Sequence, residues 1–259
     1  MKGVALYQYA PALTMTRDEK LPDPHRREHG SPLRSFGRRR GRKLSPRQSS
    51  LLTGSIERLH LDLRQPPAEG GLGSLFTAPV DEIWLEIGFG AGEHMIWQAE
   101  NNVHAGLIGA EPYVNGVVAA LSAIEARKYE GRIRLHADDV HPLLEWLPPK
   151  SLSRAFMLFP DPWPKKRHRE RRLFSPSLLD KMARILLPAA ELRFASDIAD
   201  YAEAAIEHAT AHPDFDLALT FTSANRAALP DWPVTRYETK ACKAGRSSTF
   251  IVLKRKQVS

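Results

Sequence analysis

Glycines and a carboxylate lie together at the end of an early apolar run in this chain. Residues 84–94 read WLEIGFGAGEH, so Glu86 precedes three alternating glycines, Gly88, Gly90 and Gly92. Alternating glycines permit a sharp turn from a strand into a helix and a close approach of backbone to a ligand. The spacing differs from the G-x-G-x-x-G of a dinucleotide pyrophosphate site, and the adjacent carboxylate would repel phosphate. The motif therefore indicates a cationic or amine-bearing ligand.

Further acids end the next two apolar runs. Glu111 follows Gly88 by 23 residues, a spacing suited to a carboxylate that accepts hydrogen bonds from a ribose diol. Asp138 could accept from the exocyclic amine of an adenine, but Asp139 is adjacent, and one of the two could instead cap the helix that begins near His141. Three carboxylates without a phosphate grip predict a positively charged adenosyl ligand, a description that S-adenosylmethionine fits.

A proline-rich segment follows the fourth apolar run. Residues 158–172 read LFPDPWPKKRHRERR, in which three prolines stiffen a loop that carries Asp161 and Trp163. Six of the next eight residues are Lys or Arg, a composition typical of phosphate contacts. This arrangement predicts a nucleic-acid base held in a pocket while its backbone is gripped outside. Trp163 could stack on that base or be a buried structural residue.

Short apolar runs alternate with amphipathic segments from about residue 80 onward, which predicts an α/β fold with a doubly wound, mostly parallel sheet of seven strands. The last two strands lack a strong helical pattern between them, so we expect a hairpin with an antiparallel final strand. The predicted strands are 83–88, 106–111, 133–137, 154–159, 191–195, 216–221 and 248–254. The predicted helices are 93–101, 113–129, 141–146, 176–186 and 198–212.

The charge of this 259-residue chain is distributed unevenly. Its formal charge is +7, but residues 1–47 carry +8 and the remainder carries −1. We therefore divide it into a basic, largely disordered N-terminal arm (residues 1–50) and a catalytic domain (residues 51–259). The arm fits either a phosphate contact or a solvated tail. Its first 15 residues lack the organisation of a signal peptide, and we expect a cytoplasmic protein.

Composition excludes several other classes. A single cysteine, Cys242, rules out an intrachain disulfide framework and a multi-cysteine zinc site. No apolar run approaches the roughly 20 residues that a membrane helix needs. The histidines show no metal-binding spacing, so we predict no metal. We also expect no obligate protein partner and a monomer.

From about residue 33 the chain resembles the bacterial tRNA (guanine-N7-)-methyltransferases, which have the Rossmann-like class I methyltransferase fold. The matching segments, in order, are LRSFGRRRGRKLSPRQ, LEIGFGAGEH, IGAEPYVNGV, FPDPWPKKRHRERR, FASD and TRYETKACKAGR. The resemblance implies methyl transfer from S-adenosylmethionine to N7 of a guanine in the tRNA variable loop, expected at position 46. The first 30 residues are not covered by it.

The resemblance also implies residue roles. Glu86, Glu111, Asp138 and Asp161 would line the S-adenosylmethionine site, and Asp161 would be catalytic. The residues that would contact tRNA are Lys165, Arg167, His168, Arg169, Arg171, Arg172, Asp197, Thr235, Arg236, Tyr237 and Glu238. Asp197 also fits a helix N-cap, and both roles could coexist. Three other classes fit less well: a nucleotide-dependent oxidoreductase, an exocyclic-amine methyltransferase and an RNA-binding protein with a degenerate cofactor fold.

Overall fold

The computed structural model describes residues 37, 39–67, 70–228 and 231–257. The predictions for residues 1–36 and for Arg38 lie outside this range. In the described chain, seven strands form one sheet in the order β3-β2-β1-β4-β5-β7-β6. The strands are β1 (Glu82–Ile87), β2 (Ala105–Ala110), β3 (Ile133–His136), β4 (Leu152–Leu158), β5 (Leu186–Ser196), β6 (Phe215–Thr222) and β7 (Thr249–Arg255). The α-helices are α1 (Pro46–Thr53), α2 (Ser55–Leu59), α3 (Glu93–Asn101), α4 (Val114–Arg127), α5 (Val140–Trp146), α6 (Pro176–Ile185), α7 (Ala199–Ala211) and α8 (Arg236–Lys243).

The sheet is doubly wound and mostly parallel, which confirms the predicted fold class. Strands β1 to β5 pair in parallel, and β7 inserts antiparallel between β5 and β6. Alternate residues of the central strands face two separate cores. Leu85 and Met157 belong to the core beneath α5, α6 and α7, whereas Trp84 and Phe156 belong to the core beneath α3 and α4. Helices on both faces explain why these strands read as continuous apolar runs.

The helices are well encoded where they cover the sheet. In α6, Pro176 occupies the first turn and the side chain of Ser175 accepts a hydrogen bond from the Leu178 amide at 3.3 Å. Buried Leu178 and Met182 then recur on one face of the helix. This combination of a cap, an N-terminal proline and an apolar stripe is a strong helix signal, and the predicted helix matches to within one residue.

Two elements differ from the sequence prediction. Helix α8 lies between β6 and β7, where no strong helix was predicted. Its apolar pattern is weak, since only Glu238 and Ala241 of its residues are buried. Strand β5 begins at Leu186 rather than at residue 191, and its first half contains Pro188 and an Ala189 with φ +66°. Neither residue is typical of a strand interior.

The first described helices pack the segment that precedes the sheet against helix α4. In α1, Ser45 and Gln48 form a reciprocal capping box, and Leu51 is buried. This helix runs across residue 50, the boundary predicted between the arm and the rest of the chain. Ser55 then donates a hydrogen bond to Glu125 of α4, and Leu59 is buried. The chain is thus anchored to α4 before the sheet begins.

Candidate active site

A cavity of about 300 Å³ opens at the carboxyl ends of β1, β2 and β4. Strand β1 lies between β2 and β4, so this is the point where the strand order reverses, the usual ligand site of a doubly wound sheet. Its walls come from the turn after β1, the end of β2 and the proline loop after β4. Residues that line it include Gly37, Gly88, Gly90, Glu111, Tyr113, Phe159, Asp161, Trp163, Arg171 and Tyr237.

The three predicted glycines divide into two roles. Gly88 and Gly90 line the cavity with φ values of +74° and +57°, a conformation that side-chain-bearing residues rarely adopt. Gly92 also has positive φ, but it lies against α4, where an added Cβ would come within 2.8 Å of the Ala120 Cβ. Gly92 therefore sets the close packing of α3 on α4, whereas the other two present backbone to a ligand.

Glu111 is the most firmly fixed carboxylate in the cavity. Its two oxygens accept hydrogen bonds from the backbone amides of Gly90 at 2.7 Å and Tyr113 at 2.9 Å. The residue is buried, and this loss of water raises the pKa of the Glu111 carboxyl, with the negative charges of Asp161 and Glu86 adding to the effect. Each carboxylate oxygen can accept more than one hydrogen bond, so Glu111 retains capacity for a ligand hydroxyl.

Glu86 lies deeper, beneath the glycine turn. It is buried, and one of its carboxylate oxygens is 2.8 Å from Nδ1 of His94 on α3. A small adjoining cavity is lined by Glu86, Gly88, Thr235 and Tyr237. Glu86 is therefore next to the ligand site, in a pocket too small to hold more than a small polar group.

The choice between Asp138 and Asp139 is resolved by helix capping. The Asp139 side chain is buried and accepts a hydrogen bond from the His141 amide at 2.9 Å, so it caps α5. Asp138 is more exposed and pairs with the Arg39 guanidinium at 2.5 Å. Asp138 is thus the carboxylate at the open end of β3, and a residue of the basic arm contacts it.

The described part of the arm crosses the rim of the cavity. An added Cβ on Gly37 would lie 3.1 Å from a carboxylate oxygen of Asp161. The Arg39 carbonyl accepts from the Val114 amide, and Asn115 exchanges hydrogen bonds with the backbones of Gly41 and Arg42. These contacts place the arm beside both the cavity and the start of α4.

The proline loop after β4 holds Asp161 at the mouth of the cavity. Phe159 and Trp163, at the two ends of this loop, have φ values of +53° and +42°, which are unusual for residues with a side chain. Such strain is maintained only where the surrounding structure enforces it. Asp161 reaches solvent, yet the surrounding protein removes enough water that desolvation raises the pKa of its carboxyl.

The basic run after this loop forms a 3-10 helix, Lys166–Arg171. Lys165, Arg167 and Arg169 are exposed, and the Arg169 guanidinium pairs with Asp200 at 2.6 Å. His168 lies edge-on to Trp163, and desolvation together with the neighbouring cationic side chains lowers the pKa of its imidazole. The Arg171 guanidinium lies 5.0 Å from the Trp163 ring centre, at the cavity edge.

Arg172 occupies a different environment from the rest of the run. Its side chain is only 6% exposed and forms two hydrogen bonds with the Asp200 carboxylate, at 3.0 and 2.9 Å. Its Nε also donates to the Pro162 carbonyl at 2.9 Å. Arg172 was predicted to contact tRNA, but this burial favours a role in holding the proline loop against α7.

The predicted Thr235–Glu238 segment divides in the same way. Thr235 and Glu238 are buried, and the Thr235 hydroxyl accepts from the Glu238 amide as the N-cap of α8. Arg236 and Tyr237 are exposed, and the Tyr237 ring lines both cavities. Tyr237 is therefore the member of this segment that is placed against the ligand site.

Asp197 comes directly after β5 and does not line the cavity. Its carboxylate pairs with Arg246 at 2.8 Å. It does not cap α7, whose N-cap is Ile198. The Ser196 hydroxyl accepts from the Ile198 amide instead. The position of Asp197 at a strand end was predictable from its sequence position, but its pairing with Arg246 was not.

Some residues at the site gave only weak sequence signals. Tyr113 comes two residues after Glu111 and could have been found from that offset. Phe159 was treated as the end of a strand. Gly37 and Arg39 were treated as part of an arm that contacts RNA phosphates or is a solvated tail, and no contact between the arm and the cavity was predicted. None of the described residues forms a cluster of three His, Cys, Asp or Glu side chains that could hold a metal ion.

Known proteins similar to this chain agree on one family. A family model described as "Putative methyltransferase" matches residues 81–251. A tRNA (guanine-N(7)-)-methyltransferase from Paramagnetospirillum magneticum is 43% identical over 224 residues, which cover 86% of this chain and 93% of the relative. The chain belongs to the tRNA (guanine-N(7)-)-methyltransferase family. A second family member, from Brucella melitensis, is 40% identical over 233 residues, which cover 88% of this chain and 99% of the relative.

Solved structures agree on the fold of this family member. The 16S rRNA methyltransferase KamB superposes with a TM-score of 0.51 and 16% identity, covering 74% of this chain and 96% of that chain. This similarity supports the class I methyltransferase architecture. Within the described residues, no helix combines the length and apolarity needed to cross a membrane.

Proposed function

We propose that this protein transfers a methyl group from S-adenosylmethionine to N7 of a guanine in the variable loop of tRNA. The observation that carries the proposal is the position of Asp161, whose carboxylate faces the cavity that also contains buried Glu111. One wall of the cavity is thus suited to a nucleoside, and the opposite wall is continuous with an exposed basic surface. Membership of the family supports the same reaction.

The cavity and the carboxylates of Glu86 and Asp138, which lie outside its lining, fit S-adenosylmethionine. The cavity volume of about 300 Å³ is at the lower end of the range for small-molecule sites. Glu111 would accept hydrogen bonds from the ribose hydroxyls, and Glu86 would meet the amino group of the methionine part. Asp138 would receive the adenine amine at the end of β3. When bound, S-adenosylmethionine would supply an electrophilic methyl group: the sulfur–methyl bond breaks to leave a neutral thioether, and the bond formed by the N7 lone pair leaves the guanine cationic.

Asp161 would act on the base rather than on a proton. Guanine N7 carries a free lone pair, so no proton has to be removed before the methyl group is transferred. The Asp161 carboxylate would orient the guanine and stabilise the positive charge that develops on it. The strained loop between Phe159 and Trp163 would keep this carboxylate in place, which favours in-line alignment of N7 with the methyl group.

The RNA side of the site would bind the base and its backbone separately. Tyr237 and Trp163 offer aromatic faces beside Asp161, and base stacking on such faces is largely independent of sequence. Exposed Lys165, Arg167 and Arg169 would contact phosphates outside the cavity. The basic arm, proposed as residues 1–50, would add further phosphate contacts. We also propose that the enzyme acts on tRNA as a monomer in the cytoplasm.

The reaction is tested by transfer of labelled methyl groups to bulk tRNA, followed by aniline cleavage, which breaks the strand at 7-methylguanosine. We expect labelled tRNA and scission at one guanine of the variable loop. Label without scission would indicate methylation of another atom. Scission elsewhere in the tRNA would refute the proposed position.

A further inference from the structure

A chain of buried hydrogen bonds connects the ligand cavity with the segment that leads into α8. Nδ1 of His94 is 2.8 Å from Glu86, and Nε2 of His94 is 3.0 Å from the side-chain amide nitrogen of Gln98. The same nitrogen of Gln98 donates to the backbone carbonyl of Asp231 at 3.1 Å. Glu86, His94 and Gln98 are all buried.

The donors and acceptors in this chain can be assigned from Asn102. Its amide nitrogen donates to the Gln98 backbone carbonyl at 3.1 Å, so the same nitrogen must also donate to the Gln98 side-chain oxygen at 2.9 Å. The Gln98 atom that contacts His94 and Asp231 is then the amide nitrogen. It donates one proton to the Asp231 carbonyl and the other to Nε2 of His94. Because Nε2 accepts, the His94 proton is on Nδ1 and is donated to Glu86.

Asp231 is held from its other side by charge. Its carboxylate pairs with the nearly inaccessible Arg193 guanidinium at 3.0 and 2.9 Å, and with Arg154 at 3.2 Å. Burial is the largest single influence and acts to raise the pKa of the Asp231 carboxyl, but the hydrogen bonds to Arg193 and the positive charges of Arg193 and Arg154 together lower it. The next residue, Trp232, is buried against Phe250. Residue 231 is thus a fixed point four positions before Thr235.

We propose that Gln98 is a positioning residue that fixes the Glu86 carboxylate through His94 and fixes the Thr235–Glu238 segment through Asp231. This inference rests on the proposed function, in which Glu86 faces the methyl donor and Tyr237 faces the tRNA. Gln98 touches neither reactant. Through His94 it holds the Glu86 carboxylate at the small adjoining cavity. Through Asp231 it sets the position of the Tyr237 ring above the glycine turn, 3.6 Å from the position of a Cβ at Gly90.

The experiment measures the Kd for S-adenosylmethionine and the KM for tRNA in two variants. Gln98→Met retains volume and removes the hydrogen bonds to His94 and Asp231 as well as the one accepted from Asn102. We therefore expect the Kd for S-adenosylmethionine and the KM for tRNA each to rise about tenfold. Asp231→Asn retains the backbone carbonyl and weakens the pairing with Arg193. We expect it to raise the KM for tRNA several-fold and to leave the Kd for S-adenosylmethionine unchanged.

A matched control separates positioning from general destabilisation. His212 is also buried and hydrogen-bonded, to Asp180 and to the Asp214 amide, but it lies at the opposite edge of the sheet. His212→Asn should lower the melting temperature without moving either constant. The proposal is overturned if Gln98→Met, folded, behaves like this control, or if Asp231→Asn leaves the KM for tRNA at the wild-type value. The second variant decides the matter if Gln98→Met does not fold.

The outcome also distinguishes this proposal from the proposed function. If the wild-type protein binds S-adenosylmethionine and methylates tRNA while both variants match it, only the role of Gln98 is wrong. If the wild-type protein binds no S-adenosylmethionine, the proposed function and the role of Gln98 both fail.

Discussion

The two sides of the cavity are built in different ways. On the side of β1 and β2, carboxylates are buried and held by backbone amides or by a buried histidine, as Glu111 and Glu86 show. On the side of the proline loop, the side chains are mostly exposed, and ion pairs such as Arg169 with Asp200 hold them. The first side is shaped for one small ligand, whereas the second is an open surface that extends beyond the cavity.

This difference separates two kinds of recognition. Buried carboxylates recognise a compact cationic ligand through fixed geometry, and their loss should be insensitive to salt. Exposed basic residues bind a polyanion through counterion release, and their loss should change the salt dependence of binding. Asp161 belongs to both sides, because it lines the cavity and is carried by the loop that leads into the basic run.

The largest effect is expected at Asp161. Asp161→Asn removes the negative charge with little change in shape, and we expect kcat to fall by about 100-fold or more. Binding of S-adenosylmethionine, measured by calorimetry, should stay within a few-fold of the wild-type value. Near-normal methylation by this variant, with intact cofactor binding, would remove Asp161 from the centre of the mechanism.

The pH dependence should report the same group. Because desolvation raises the pKa of the Asp161 carboxyl, this group is protonated at a pH where an ordinary aspartate is still charged. We therefore expect kcat to fall as the pH is lowered, by about tenfold per pH unit below the raised pKa, starting above the usual aspartate range of about 3.9. The kcat of the Asp161→Asn variant should not show this fall at low pH. If kcat of the variant still falls, another titrating group is responsible.

Glu111 tests the cofactor side. Glu111→Ala removes the acceptor for two backbone amides and for the ribose hydroxyls, so we expect the Kd for S-adenosylmethionine to rise by about 30-fold or more. The salt dependence of tRNA binding should not change. Calorimetry with the cofactor and a salt titration with tRNA check the two statements, and a changed salt slope would break the separation of the two sides.

Arg167 and Arg172 belong to the same basic run, but one is exposed and the other is buried, so their variants compare a tRNA contact with a structural role. Arg167→Ala, at an exposed position, should raise the KM for tRNA a few-fold and reduce the salt slope by about 1. Arg172→Ala should loosen the proline loop instead, lowering kcat about tenfold and lowering the melting temperature. Equal effects of the two variants on the salt slope would show that burial of Arg172 does not exclude it from tRNA contact.

Arg39 should give the smallest effect. Its pair with Asp138 is exposed, and such pairs contribute only about 0–1 kcal/mol. We expect Arg39→Ala to change the Kd for S-adenosylmethionine by less than about threefold and to weaken tRNA binding a few-fold. Arg127→Ala, at an exposed position near the far end of α4, is the matched control and should change neither.

The strand ends were the most predictable part of the site. Glu86, Glu111 and Asp161 were identified because each lies at or just beyond the end of an apolar run, and the fold brings such positions to one edge. Helix α8 was missed because its polar sequence carries no apolar stripe. Arg172 could not be separated from its neighbours, because its burial depends on Asp200, 28 residues away.

Contacts between distant segments were not accessible from the sequence. Arg39 meets Asp138 across 99 residues, and Gln98 meets Asp231 across 133. Nothing in the local pattern of either partner indicates such a contact, because a polar residue reads alike whether solvent or a distant carbonyl satisfies it. The chemistry of the cavity was therefore predictable, whereas the interactions that hold its parts in position were not.

The central claim is that this cavity presents a methyl group to guanine N7 beside Asp161. The most direct measurement uses tRNA in which the target guanine of the variable loop is replaced by 7-deazaguanine, which has carbon in place of N7. We predict that this tRNA binds with normal affinity and accepts no labelled methyl group, whereas the unmodified tRNA is methylated. Methylation of the 7-deazaguanine tRNA at the normal rate would contradict the account.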